Sequence, residues 1–247
     1  MIVDPETARA RALGELLRLA GRPEIWNAPS EPKAFQLAAK ITPDLIVCEL
    51  AAGTLDGAAF TRNLRRSDLA CRRAPVILTA AEPTAQAVLA GRDAGAHEFL
   101  RRPIVARELA RRLEAATVHP REWVEAMDYV GPDRRRFNTA DYPGPMKRLA
   151  DEPAAPHGVR VAEALKIVRS ALAAVDGDPG QARRALLAQC ELLIAAADET
   201  SDERLASAAG ELRAYVAAPG DLLDPARAHE AAQGLLAYAG RESRAAA

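Results

Sequence analysis

Several charged or hydroxyl-bearing residues follow short apolar runs directly, where their side chains are placed to do chemistry. Asp4 follows Met-Ile-Val, Glu49 ends Leu-Ile-Val-Cys-Glu, Thr79 ends Val-Ile-Leu-Thr, and Arg102 comes just after Glu-Phe-Leu-Arg. A guanidinium is a planar fork that suits a carboxylate, whereas a lysine ammonium is a compact point charge. We therefore expect an ion pair between Glu49 and Arg102 in a fold that brings the ends of these runs together.

The elements that would position these residues alternate along the first half of the chain. Short apolar runs predict strands at residues 1–3, 24–27, 45–50, 76–79 and 98–100. Apolar residues at three- and four-residue spacing predict helices at residues 7–19, 31–40, 58–66, 84–94 and 105–116. This alternation is typical of a parallel sheet covered by helices on both faces. Such sheets carry their functional residues at the carboxyl ends of the strands, where the residues above are expected.

Three stretches carry a resemblance to a known family: ELAAGTLDG at 49–57, PVILTA at 75–80 and GAHEFLRRPI at 95–104. In order and spacing they resemble the signature stretches of the receiver domains of bacterial response regulators, the CheY-like family. The resemblance covers residues 1–118. It implies a doubly wound, five-stranded parallel sheet of the flavodoxin type and a function in two-component signal transduction and phosphorelay.

In that family, an acidic pair after the first strand helps to hold magnesium, and an aspartate after the third strand accepts a phosphoryl group from a histidine kinase. Here Asp4 fits the first acidic position, Pro5 occupies the second, and Glu6 is a misplaced substitute. Magnesium requires oxygen ligands in near-octahedral geometry. Asp4 and Glu49 are therefore expected to bind it weakly at most, and we expect no other cofactor.

Two further departures concern the phosphoryl group itself. Glu49 stands in the aspartate position, and its extra methylene moves the carboxylate by about 1.5 Å, a C–C bond length, which spoils in-line attack. Arg102 replaces the family's lysine, so a Glu49–Arg102 pair would imitate a contact that a phosphorylated receiver makes. Thr79 and Phe99 occupy the family's switch positions, where movement of the hydroxyl is coupled to rotation of an aromatic ring. These residues predict a degenerate phosphoacceptor pocket, a pseudo-receiver.

A plainer interpretation of the same residues is open. Asp4 and Glu49 would then be ordinary polar residues at strand ends, which Arg102 neutralises. This alternative leaves the predicted fold unchanged. Asp56-Gly57 is predicted to be the turn into the third helix.

Residues 119–157 are rich in proline and glycine and are predicted to be a linker with little regular structure. The linker contains YVGPDRRRF at 129–137, and similar GPDRRR segments follow receiver-like domains in some alphaproteobacterial proteins. Arg134, Arg135 and Arg136 are candidates to bind the phosphates of a nucleotide such as cyclic di-GMP, with Tyr129 or Phe137 stacking on a base. The alternative is a basic strap that lies on acidic surface or in solvent.

Residues 158–247 are predicted to form an all-α bundle with helices near 159–175, 180–197, 202–217 and 225–240. Asp178-Pro179 and Asp224-Pro225 each place a capping side chain before a proline at the first helical position, and Ser201 with nearby acids starts the third helix. His229 is predicted to be a partly exposed structural histidine. Its surroundings lack the Lys and Gly that follow the phosphorylated histidine of phosphotransfer domains.

Composition bounds the classes of function. The formal net charge of -1, from 33 basic and 34 acidic residues, offers no general attraction for nucleic acid or an anionic membrane. Cys48, Cys71 and Cys190 are widely spaced, which argues against a disulfide framework or a zinc site. No apolar run approaches the roughly 20 residues that span a bilayer. These features predict a cytoplasmic protein with no membrane insertion.

The sequence therefore predicts an atypical response regulator that is not an enzyme and that acts by binding other signalling proteins, such as a histidine kinase or a downstream effector. Two alternatives are open: a conventional phosphorelay response regulator, and an adaptor that responds to cyclic di-GMP through its arginine-rich linker. The helical region is not strongly basic and shows no DNA-reading helix-turn-helix, so DNA is not an expected partner. The chain is also compatible with a homodimer.

Overall fold

A computed structural model describes residues 1–19, 21, 24–119, 121–134, 157–218 and 223–245 of the protein. Backbone contacts divide the chain into two compact units. The first consists of Met1–Val124 and Tyr129–Pro143, and the second of Glu125–Asp128 and Gly144–Ala247. Each unit contains its own hydrophobic core.

The first unit contains a five-stranded sheet in which every pair of neighbouring strands is parallel. Its strands are β1 (Ile2–Val3), β2 (Asn27–Ala28), β3 (Ile46–Glu49), β6 (Val76–Ala80) and β7 (Glu98–Arg101). A short antiparallel hairpin of β4 (Ala51–Ala52) and β5 (Leu55–Asp56) follows β3. The strand order β2-β1-β3-β6-β7 is that of the flavodoxin-like receiver fold, so the predicted fold is confirmed.

The second strand begins later than predicted. The apolar residues at 24–27 predict a strand there, but β2 is formed by Asn27 and Ala28. The register of the sheet explains the shift, because Asn27 lies opposite Ile2 and Ala28 lies opposite Val3. Trp26, the largest apolar residue of the predicted strand, is 45% exposed and so does not add to the core.

Five helices cover the sheet: α1 (Thr7–Leu19), α2 (Glu31–Ile41), α3 (Gly57–Arg66), α4 (Ala85–Asp93) and α5 (Ala106–Thr117). Successive residues of a strand point to opposite faces. Accordingly, Val47 packs with residues of α1 and α5, whereas Ile46 and Cys48 pack with residues of α2 and α3. A buried ion pair between Glu98 and Arg112, 3.0 Å apart, also connects β7 to α5.

The turn into α3 brings this helix close to the end of β3. Asp56 caps α3, because its carboxylate accepts a hydrogen bond from the Ala59 N–H at 2.9 Å, which confirms the predicted turn. A Cβ atom at Gly57 would lie only 2.3 Å from the Glu49 carbonyl oxygen. Glycine at this position therefore lets α3 begin directly beside the end of β3.

Two short strands lie where the prolines predict little regular structure: β8 (Trp123–Glu125) and β9 (Val130–Pro132). Within the first unit, Gly95 and Gly131 allow a close approach of two backbone segments. A Cβ atom at Gly131 would lie 2.7 Å from the Gly95 Cα, and one at Gly95 would lie 2.5 Å from the Val130 carbonyl oxygen. The two glycines are therefore needed for the packing of this segment.

Arg65 of α3 is fully buried and donates hydrogen bonds to backbone carbonyl oxygens on both sides of β6 along the chain. It donates to the carbonyl oxygens of Gly95, Arg72 and Ala74 at 3.0, 2.6 and 2.9 Å. Its Nη2 lies 3.2 Å from Nδ1 of His97, and its guanidinium lies 5.3 Å from the ring centroid of Trp123. Burial lowers the pKa of Arg65 to about 9, so the side chain remains charged at neutral pH.

His97 and Arg121 extend the same network. Nδ1 of His97 also lies 3.3 Å from the backbone N–H of Val76, and since both neighbours of Nδ1 are donors, Nδ1 must be the unprotonated acceptor. Burial lowers the pKa of His97 well below its usual value, so the ring is neutral. Arg121 donates to the carbonyl oxygens of His97 and Asp133.

The second unit contains the helices α6 (His157–Ala173), α7 (Pro179–Thr200), α8 (Glu203–Ala217), α9 (Pro225–Ala231) and α10 (Gln233–Ala245). Leucine, valine and alanine side chains form its core. The amide of Gln181 donates to the Glu125 carboxylate at 3.0 Å, and that of Gln189 donates to the Glu125 carbonyl oxygen at 3.1 Å. Residues of α7 therefore bind a buried side chain that comes from the predicted linker.

The caps of these helices agree with the sequence at two starts and in part at the third, where one of the acids near Ser201 is the cap. Asp178 and Asp224 each accept a hydrogen bond from the backbone of the first turn, as predicted. The third helix is capped by Asp202 and not by Ser201, which instead ends α7 in a left-handed conformation. The predicted fourth helix is interrupted at Ala232 and forms α9 and α10.

Across the described ranges, no helix combines the length and the apolar character that crossing a membrane requires.

We expect Gly95→Ala to destabilise the first unit more than Gly53→Ala does. Both glycines have positive φ, +93° and +59°, but only at Gly95 would the new Cβ atom meet neighbouring backbone, since nothing lies within 4 Å at Gly53. The conformational cost alone is about 1–2 kcal/mol. Trp26 and Trp123 are the two tryptophans of the chain, and both belong to the first unit. Urea unfolding of the full chain followed by tryptophan fluorescence therefore measures this unit, and equal losses would show that residues 129–131 do not pack on Gly95.

Candidate functional site

Glu49 lies at the carboxyl end of β3, and its side chain is 2% exposed. Its Oε1 accepts a hydrogen bond from Nη2 of Arg102 at 2.7 Å, and its Oε2 accepts one from the Thr79 hydroxyl, also at 2.7 Å. The expected contact between Glu49 and Arg102 is therefore present. Both oxygens of this buried carboxylate have a donor, which compensates for the water that burial removes.

Arg102 binds Glu49 through one nitrogen and not through the two-pronged contact that a guanidinium permits. Its backbone N–H donates to the Ala80 carbonyl oxygen at 2.7 Å, which fixes the residue just beyond the end of β7. The second oxygen of Glu49 is already taken by Thr79, so a single-nitrogen contact results. Nε of Arg102 is buried without a hydrogen-bond partner among the described residues.

Asp4 follows β1 and has an arginine partner that the sequence analysis missed. Arg9 of α1 binds its carboxylate with two nitrogens, Nε to Oδ2 at 2.9 Å and Nη2 to Oδ1 at 2.7 Å. The hydrogen bonds to Asp4 raise the pKa of Arg9, and the negative charges of Asp4, Glu49 and Glu6 raise it further, against a lowering by burial. Arg9 is therefore a second cation in the pocket, beside Arg102.

A signal for Arg9 is present in the sequence. Arg9 lies in the first turn of α1, a turn that contains no acidic residue. The amino end of a helix carries a partial positive charge, so an arginine there is unfavourable unless a nearby anion compensates for it. Asp4 lies five residues earlier along the chain and is that anion.

Glu6 lies outside the pocket. Its side chain is 55% exposed, and its carboxylate is 3.8 Å from Nη1 of Arg9. Its backbone N–H donates to Oδ1 of Asp4 at 2.8 Å. The contribution of Glu6 to the site is thus a backbone N–H that donates to Asp4, and its carboxylate does not take the place of the acid that Pro5 removes.

The residues of this pocket do not fit a magnesium ion. A divalent cation requires free carboxylate oxygens, but Arg9 and the Glu6 N–H bind those of Asp4, and Arg102 and Thr79 bind those of Glu49. Among the described residues, no group of three or more acidic, histidine or cysteine side chains is placed to hold a metal ion. The weak magnesium binding expected at Asp4 and Glu49 therefore gains no support from the geometry.

The two residues at the family's switch positions are both buried. Thr79 is 4% exposed, and its hydroxyl is directed at Glu49. Phe99, also 4% exposed, lies opposite Leu78 in the sheet and belongs to the same core cluster. A Cβ atom at Gly91 of α4 would lie 2.6 Å from Cδ1 of Leu78 and 4.0 Å from Cδ2 of Phe99. The aromatic ring is therefore enclosed beneath α4.

The arginine-rich segment is described only in part. Arg134 lies 3.4 Å from the Asp93 carboxylate and 4.7 Å from the ring centroid of Tyr129. Tyr129 is 4% exposed and donates its hydroxyl to the Pro132 carbonyl oxygen at 2.5 Å, and burial raises its pKa to about 12. A ring in this position has no free face for a nucleobase. The other candidates, Arg135, Arg136 and Phe137, lie outside the described residues.

His229 lies on α9 and is exposed, with Nδ1 3.1 Å from the Pro225 carbonyl oxygen. The interpretation of His229 as a structural residue remains a prediction.

The first half of the chain is similar to known proteins. Residues 1–114 match the model of the response regulator receiver domain. The transcriptional regulatory protein PrrA of Mycobacterium tuberculosis is 31% identical over 115 residues, which are 47% of this chain and 48% of that protein. The KDP operon transcriptional regulatory protein KdpE of Escherichia coli is 33% identical over 116 residues, which are 47% and 49% of the two chains. The chain thus spans about half the length of the curated relatives that it matches.

Among solved structures, a putative response regulator from Chloroflexus aurantiacus is 30% identical, with coverage of 46% of this chain and 91% of that one and a TM-score of 0.43. The parallel sheet order, the acidic and hydroxyl side chains at the strand ends and the family match lead to one assignment. Residues 1–114 are a response regulator receiver domain of the kind that acts in two-component signalling, and an unassigned helical region follows it.

Proposed function

We propose that this chain is an atypical response regulator whose receiver pocket is held in one conformation by its own side chains, and which acts by binding other signalling proteins. The supporting observation is the double engagement of Glu49, by Arg102 on one oxygen and by Thr79 on the other. In the resembled family, the corresponding side chains contact the phosphoryl group. Here they contact a carboxylate that is part of the chain.

The same contacts argue against phosphorylation at this position. A phosphoryl acceptor needs a carboxylate oxygen that is free and in line with the incoming group. Glu49 is 2% exposed, and each of its oxygens accepts a hydrogen bond. The pocket also lacks a fit to magnesium, which neutralises the charge of the transferred group in such reactions. The receiver would therefore signal without a phosphorylation step.

Thr79 and Phe99 connect this pocket to the output surface of the receiver. In the resembled family, movement of the hydroxyl toward the phosphoryl group is coupled to rotation of the aromatic ring. Here the Thr79 hydroxyl is already bound to Glu49, and Phe99 is already enclosed beneath α4. A surface near α4 would then be presented permanently to a partner protein, with no need for an input signal at the pocket.

Proteins are better candidates for the partner than DNA or a nucleotide. The matched relatives are named as transcriptional regulators, but this chain covers only about half of each of them. The helical region at 158–247 contains more acidic than basic residues, and this charge is unfavourable for binding phosphates. Arg134 already pairs with Asp93 and stacks on Tyr129, so cyclic di-GMP would have to displace both contacts.

We expect the full chain to gain no stable phosphoryl group when it is incubated with labelled acetyl phosphate and magnesium. Glu49→Ala should give the same background as the wild type. Stoichiometric labelling of the wild type that is lost in Glu49→Ala would contradict the proposal and would identify a conventional phosphorelay response regulator.

A double-mutant cycle should show coupling between Glu49 and Arg102. Arg102→Met leaves the buried carboxylate without its cation and should cost up to about 3–5 kcal/mol. Glu49→Gln leaves the guanidinium, which is 26% exposed, in contact with water and should cost less. The double variant should recover part of the loss, as measured by urea unfolding with tryptophan fluorescence. The exposed pair Arg18–Glu15 is the matched control, with coupling below about 0.5 kcal/mol, and equally small coupling at Glu49 would refute the proposed contact.

Capture of partners from the native host tests the proposed signalling state. With the full chain as bait, we expect the same proteins to be bound with and without acetyl phosphate, because no phosphorylation is needed. Binding should weaken for Arg102→Met, which frees Glu49 from its cation, and should persist for Arg18→Met on the surface of α1. A partner that binds only after treatment with acetyl phosphate would contradict the proposal.

A further inference from the structure

Asp4 and Glu49 end neighbouring strands of the sheet. Val3 and Cys48, the residues just before them, lie opposite each other in the β1–β3 register. The two carboxylates are 9% and 2% exposed. Two acids placed side by side and away from water repel each other unless cations neutralise them. The pocket therefore needs positive charge on the side of Asp4 as well as on the side of Glu49.

Arg9 supplies that charge to both acids. It makes two hydrogen bonds to Asp4, and it interacts electrostatically with Glu49 and Glu6 in addition. It does so from the first turn of α1, where the helix dipole disfavours a cation. The acids of the pocket therefore compensate for a cation that this end of the helix disfavours.

We infer that Arg9 is the built-in counter-cation of this pocket, which takes the charge role of a divalent metal ion in receivers and excludes such an ion from Asp4. Its fork binds both Oδ1 and Oδ2 of Asp4 with the geometry of a bidentate arginine–carboxylate pair. A divalent ion would have to displace this guanidinium before it could reach either oxygen. The receiver is then held by arginines on both sides, with Arg9 on Asp4 and Arg102 on Glu49.

This inference goes beyond the proposed function and can fail separately from it. It concerns the contact between Asp4 and Arg9, whereas the proposed function depends on Glu49, Thr79 and Arg102. Labelling of Glu49 would overturn the proposed function, whereas the inference about Arg9 is tested by divalent-ion binding in the absence of acetyl phosphate. Binding of a divalent ion by the wild-type pocket would overturn the inference about Arg9.

Divalent-ion binding to the full chain tests the inference in two measurements. The paramagnetic resonance signal of free Mn²⁺ reports how much of this ion is bound, and urea unfolding in the presence of Mg²⁺ reports whether Mg²⁺ stabilises the protein. In the wild type, we expect no loss of the free Mn²⁺ signal. We also expect no rise of the urea midpoint with Mg²⁺ beyond that in NaCl of equal ionic strength. In Arg9→Met, the guanidinium no longer binds Asp4 and no longer offsets the negative charges of Glu49 and Glu6. Mn²⁺ should then bind at Asp4, and Mg²⁺ should raise the midpoint as its concentration exceeds the dissociation constant.

Two further variants separate charge from structure. Arg9→Lys retains the positive charge without the fork, so it should be less stable than the wild type and should still exclude Mn²⁺. Arg18→Met removes an arginine of the same helix from an exposed pair with Glu15 and should change neither stability nor ion binding. Mn²⁺ binding by the wild type, or an Arg9→Met variant that folds and remains indifferent to both ions, would overturn the inference. If Arg9→Met does not fold, Arg9→Gln takes its place with the same expected outcome.

Discussion

A carboxylate buried at the end of a central strand destabilises the fold unless other groups replace the water that it has lost. This constraint applies to Glu49, and it determines the arrangement around it. Thr79 on the neighbouring strand supplies one hydrogen bond, and Arg102, just beyond the last strand, supplies the other. Three strands of the sheet therefore meet at one side chain, and a change in any of them alters the electrostatic balance of that side chain.

The pocket differs from an ion-binding site in where its cations come from. Arg9 and Arg102 belong to the chain, so their positions are fixed by α1 and by the end of β7 and not by the concentration of a free ion. Positively charged side chains that pair with buried acids during folding carry an entropic cost, but they require no second component. Under the proposed function, signalling by such a receiver is controlled through its abundance or its partners and not through chemistry at the pocket.

Much of this arrangement could be predicted from the sequence, because strand periodicity and strand-end chemistry are local signals. The order of strands and helices and the Glu49–Arg102 contact follow from such signals. The position of β2 could not be predicted, since an exposed Trp26 has the same apolar character as a buried one. The break at Ala232 was also missed, because the nearby Gly234 is tolerated inside a helical pattern and does not by itself mark a helix end.

The contacts of Arg65 have a consequence for how this receiver can be exchanged between proteins. Its guanidinium is fully buried and faces Trp123, and Arg121 binds the carbonyl oxygen of the neighbouring His97. A truncation after residue 118, where the family resemblance ends, would remove Trp123 and Arg121. The surroundings of the buried Arg65 guanidinium would then be open to solvent. Residues 1–118 alone thus lack side chains that contact the receiver core. A receiver unit that keeps these contacts therefore includes the segment that follows it, through Arg134.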